Sequence, residues 1–184
     1  MTKARDLANG GFGLVLVKPS SVVNGTDNGK GTVSFSAASS VSLNDVFSST
    51  YKNYKILLDH SASTALNTTI RLRVSNSDNT TANYARQYLV AIGAAVSGGL
   101  STAQTSWALN APVNNRASAE CTLFNPFDSI QTSMQVINQS DYTGSTIIVA
   151  DGYAFQATTS FTGFSIIAST GTITGSVSVY GYNK

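Results

Sequence analysis

Ionisable side chains are scarce in this chain. Asp, Glu, Lys and Arg make up 11% of its 184 residues, against roughly 25% in ordinary soluble domains. The 11 basic and 9 acidic residues leave a formal charge of +2, and only Lys3 with Arg5, Lys52 with Lys55 and Arg71 with Arg73 sit close together. No basic stripe interleaved with aromatics forms, which argues against nucleic acid as a partner. A lone cysteine, Cys121, excludes an internal disulfide. One cysteine with one histidine also excludes a zinc cluster of the usual kind. No apolar run is long enough to cross a membrane as a helix. Leu14 to Val17 is too short for a secretory signal, so no export by that route is expected.

The same scarcity bears on catalysis. Glu120 is the only glutamate, and Asp78, Asp128 and Asp151 sit beside Asn79, after Pro126 and before Gly152, where turns favour aspartate. No carboxylate pair for sugar hydrolysis is marked. Asp59-His60-Ser61 is the one run with the residue types of a nucleophilic relay. Neighbouring residues of a strand point to opposite faces, so the three cannot converge. Asn24, Asp27 and Asn28 carry oxygen ligands, yet their spacing fits no EF-hand loop and reads as an Asx turn. No catalytic residue, metal ligand or cofactor is expected.

Ser, Thr, Asn and Gly fill the space that charge leaves, and the dominant period is two. Val33 and Phe35, then Ile70, Leu72 and Val74 with Arg71 and Arg73 between them, alternate as half-buried strands do. Further strands are expected at 54–60, 84–92, 119–124, 133–138, 145–150, 153–158, 164–169 and 173–180. Gly93 to Gly99 reads as a loosening, and residues 100–116 favour no element. Short strands with turn signals every 8–12 residues indicate an all-β protein, a jelly-roll-like antiparallel sandwich over residues 21–184. Residues 1–20 read as an attachment arm: a helical turn over Thr2 to Asn9, the Gly10-Gly11-Phe12-Gly13 hinge, one short strand, then Pro19. A surface this poor in ions can be covered by neighbouring subunits without desolvating many charges. A homo-oligomer is therefore expected.

Trp107 is the only tryptophan and lies in the undecided segment. It has two readings: a platform for a sugar ring, with Asn79 and Asn114 as amide partners, or a core or interface residue, which the sandwich favours.

Three segments in order resemble a family of phage virion surface proteins found mostly among phages of marine bacteria and cyanobacteria. The opening Met1-Thr-Lys-Ala-Arg-Asp-Leu-Ala-Asn9 is similar to the short leader of many tail-fibre proteins. Phe47-Ser-Ser-Thr-Tyr51-Lys-Asn-Tyr54-Lys-Ile56, followed by the strand Ile70 to Val74 and Asn83-Tyr84, resembles its strand-entry pattern Phe-x-Ser-x-Tyr-x-x-Tyr-x-Ile. Gly171-Thr-Ile-Thr-Gly-Ser-Val-Ser-Val-Tyr-Gly-Tyr182 is similar to its closing strand.

The resemblance implies a β-sandwich, usually trimeric, made in the host cytoplasm and displayed on the particle as tail fibre, knob, head fibre or capsid decoration, and it does not imply an enzyme. Partners would be copies of itself and other virion proteins: capsid, portal, tail or fibre adaptor. Lys3, Arg5, Leu7, Phe12, Leu14 and Leu16 would anchor the arm. The alternative function is a module that binds host-surface polysaccharide through Trp107, Asn79 and Asn114.

Overall fold

In a computed structural model, which describes residues 13–109, 115–142 and 144–182, the described residues form two antiparallel sheets and no helix. The N-terminal part contributes β1 (Leu14–Leu16), β2 (Ser21–Val23), β3 (Thr26–Asp27), β4 (Thr32–Ala38) and β5 (Ser40–Asn44). The middle contributes β6 (Asn53–Ala62), β7 (Thr68–Val74), β8 (Ser77–Asp78), β9 (Tyr84–Ile92), β10 (Ala95–Gln104) and β11 (Trp107–Ala108). Then come β12 (Arg116–Phe124), β13 (Thr132–Tyr142), β14 (Ser145–Phe155), β15 (Gly163–Ala168) and β16 (Ile173–Tyr182).

Two runs of neighbours define the topology. In the large sheet β4, β16, β6 and β12 lie side by side, and in the small sheet β5, β15, β7 and β11 follow in the corresponding order. Each strand of one run is joined in sequence to the strand at the matching place in the other: β4 to β5, β6 to β7, β11 to β12, β15 to β16. Eight strands wound this way make a jelly roll. Beyond β12 the large sheet continues through β13, β14, β9 and β10, two hairpins inserted into the roll. Among the described residues no strand of the small sheet lies past β11. The hairpins therefore form a wing.

The period of two governs the core. Tyr54, Ile56 and Leu58 of β6, Ile70 and Leu72 of β7, Phe164 and Ile166 of β15, and Val177 and Val179 of β16 are all buried between the sheets. Rings meet edge to face along one end: Phe155 with Tyr84 at 4.9 Å, Phe155 with Phe161 at 4.9 Å and Tyr84 with Trp107 at 5.2 Å. Such pairs add about 0.5–1.5 kcal/mol each beyond area burial.

Three expectations change. β10 crosses the segment read as loosening at Gly93 to Gly99, because Gly93, at φ 57°, turns the chain back onto β9. The strands expected at 145–150 and 153–158 are one, β14, since Asp151 and Gly152 stay in register with Val136 and Gln135. Val74, expected inward with Ile70 and Leu72, is 36% exposed, and Arg73, which faces outward as the alternation requires, is buried beneath the 75–78 turn. There its guanidinium donates to Ser42, Asn44, Ser165, Asp78 and the Asn76 carbonyl.

Candidate functional site

Of the anchor residues, Lys3, Arg5, Leu7 and Phe12 lie outside the described residues, as do the helical turn and Asn114. Leu14 and Leu16 are placed. β1 pairs antiparallel with the end of β16, Leu14 opposite Tyr182 and Leu16 opposite Tyr180, and the Val17 amide donates to Val179. This part of the arm belongs to the large sheet, where Leu14 and Val15 remain exposed.

The two segments of the family resemblance that fall in the sandwich meet in space. A Cβ on Gly181 would lie 2.2 Å from the Tyr51 ring, so only glycine lets the closing strand pass under the strand-entry tyrosine. Tyr51 packs against Tyr54, and Tyr54 against Phe47. The Tyr54 hydroxyl donates to the Ser48 carbonyl and accepts from the Ser48 amide, at 3.0 and 2.8 Å.

Asp59, His60 and Ser61 diverge. Asp59 pairs outside with Arg116, whereas the Ser61 hydroxyl donates to the Thr174 carbonyl at 3.3 Å. His60 turns inward, 2% exposed, with Nε2 2.9 Å from the Thr68 hydroxyl. Burial holds its imidazole neutral, with a pKa lowered to about 4. Among the described residues no group of His, Cys, Asp and Glu gathers as metal ligands would. Asp27 accepts from the Gly29 and Gly31 amides and Asn28 from the Lys30 amide, the pattern of an Asx turn. Cys121 is buried, and burial pushes its thiol up to about 12.

Trp107 is 1% exposed, its ring held between Tyr84 and Tyr153, so it has no open face for a sugar. Asn79 closes a turn, its side-chain oxygen accepting from the Thr81 amide and hydroxyl. A cavity of about 160 Å³ lies beside the tryptophan, with Thr69, Arg86, Ser101, Gln104 and Ser106 in its wall. Arg86 is anchored there by Asp151 at 2.7 Å and lies 4.3 Å from the Tyr88 ring centre. Burial raises the Asp151 pKa despite that guanidinium.

One exposed feature is not marked by the alternation in the sequence. It is the outer face of the wing, where Leu89 (57% exposed), Val96 (72%), Leu100 (66%), Ile137 (59%) and Ile148 (51%) face away from the core. The signal was there to read. Ile147-Ile148-Val149-Ala150 and Tyr88-Leu89-Val90-Ala91 put apolar residues on both faces of a strand, as happens where both faces are covered.

No family model matches the chain, and no curated protein matches its sequence. Among solved structures, the SPRY domain of human HERC1 is similar at 8% identity and a TM-score of 0.30, covering 85% of this chain and 98% of that one. Ail, the attachment invasion locus protein of Yersinia pestis, is similar at 8% identity and a TM-score of 0.21, covering 62% and 99%. Both likenesses are too distant to carry functional argument.

Proposed function

We propose that this chain is a structural protein of a bacteriophage particle, displayed on its surface as a fibre, knob or capsid decoration. In this reading the sandwich associates with its own kind and the leader fastens it to another virion protein. The observation that carries the reading is the wing, a sheet whose outer face is aliphatic and nearly free of charge. A contiguous exposed apolar patch marks an interaction surface, and in this reading another protein covers it. The virion assignment draws on the three sequence segments, two of which pack together at Tyr51 and Gly181. The part of the arm that is placed, Leu14 to Leu16, pairs with the last residues of β16, beyond the point where β4 ends.

The test is incorporation. Particles banded on a density gradient should contain the chain by immunoblot, and antibody against the sandwich should decorate intact particles. A variant lacking residues 1–12 should stay folded and soluble and be missing from the band. Absence of the full-length chain from purified particles would refute the proposal.

A further inference from the structure

The outer face of the large sheet is divided by strand. On β6 and β12 it carries Lys55, Asp59, Arg116 and Glu120, joined as Lys55–Glu120 at 2.6 Å and Arg116–Asp59. From β13 across to β10 the residues that face outward include one ionisable side chain, Asp141, near the end of its strand. The five exposed aliphatics fall in three successive cross-strand rows. Ile137 stands opposite Ala150, which stands opposite Leu89. Ile148 is opposite Ala91, itself opposite Val96. Gln87 links Gly152 to Leu100. Ala150 and Gly152 leave a depression of about 560 Å³ beside Leu89 and Ile137 that reaches Thr122 and Glu120 of β12 at its border. An apolar centre with a charged border is the anatomy of a protein interface.

Three observations decide the occupant. The first is charge. A bare aliphatic face gives nothing to a charged partner and matches a face like itself, which a second copy supplies. Its polar members include Gln87, Gln135 and Gln139, amides that both donate and accept, so like can pair with like. The second is area. Four strands about 4.8 Å apart and nine residues long cover roughly 550 Å² per copy. Two copies would bury about 1,100 Å², close to the lower bound of about 1,200 Å² for a stable interface. The third is the edge. Among the described residues β10 ends the sheet, and from Ala95 to Ser101 it has no charge and no proline, its bulge coming only between Ser101 and Gln104, so most of its length lacks the devices that protect a free edge. An edge of that kind pairs readily with a strand of another chain, and a second copy carries the same edge.

We infer that the outer face of β13, β14, β9 and β10 is the surface through which the chain associates with a second copy of itself. The inference rests on the self-assembling reading above and gives it an address. Sedimentation of the full chain should show an oligomer, and Leu89→Lys or Ile148→Lys should weaken association at least about tenfold. Leu57→Lys, on the charged half, should leave it unchanged. All three sites are exposed, so circular dichroism should show unaltered folding. A wild-type monomer at about 100 μM, or an oligomer indifferent to Leu89→Lys and Ile148→Lys, would overturn the inference. The two proposals fail separately. A monomer found in particles refutes only the interface, and an oligomer absent from particles refutes only the virion role.

Discussion

At the scale of single residues, the contact between Gly181 and Tyr51 explains why a closing strand rich in β-branched residues carries a glycine near its end. Any Cβ there would meet the Tyr51 ring at its base, Cγ at 2.2 Å, and the ring would have to leave Tyr54. Gly181→Ala is expected to cost about 1–3 kcal/mol, the range for overpacking, measurable by urea denaturation. Gly181→Ala with Tyr51→Ala should recover part of that loss, and no recovery would disprove the contact as its cause. The glycine was plain in the sequence as part of a pattern. Its reason was not, because the tyrosine lies 130 positions away along the chain.

At the scale of elements, the alternation of apolar and polar residues placed most strands to within a few positions. It works wherever one face is dry and the other wet, as at Val33 and Phe35 of β4. It failed for β10, whose residues are mostly exposed and whose existence depends on β9 as hydrogen-bonding partner. β1 shows the same dependence. Three residues cannot hold a strand alone, and Leu14 to Leu16 are extended because β16 offers them an edge. Truncation should separate the two parts of the arm. A chain lacking residues 1–17 should melt several degrees below one lacking 1–12, since it also loses the β1 pairing and the Val17–Val179 hydrogen bond. Equal melting temperatures would show that β1 contributes nothing to the sandwich.

At the scale of the whole molecule, buried ionisable groups make stability depend on pH. Folding keeps His60 neutral down to about 4, whereas the unfolded chain protonates it near 6.5. Its contribution is therefore complete above about pH 6.5 and is lost as the pH falls toward 4, about 2–3 kcal/mol by pH 4.5. Asp151, whose folded pKa burial raises, acts in the opposite sense: its share is present when protonated and lost as pH rises through that folded value. Urea unfolding of wild type and His60→Gln at pH 7 and 4.5 should give a steep loss only for wild type. Parallel losses would mean that another group governs. The sequence by itself determined the fold class, the inward and outward faces of most strands, and the divergence of Asp59, His60 and Ser61, because these follow from side-chain alternation along one strand. Only the tertiary structure decided that Trp107 lies in the core, that β10 is a strand, and that five aliphatics from four strands share one bare face. Those are matters of which strands become neighbours, and neighbours are chosen by contacts between residues far apart in the chain.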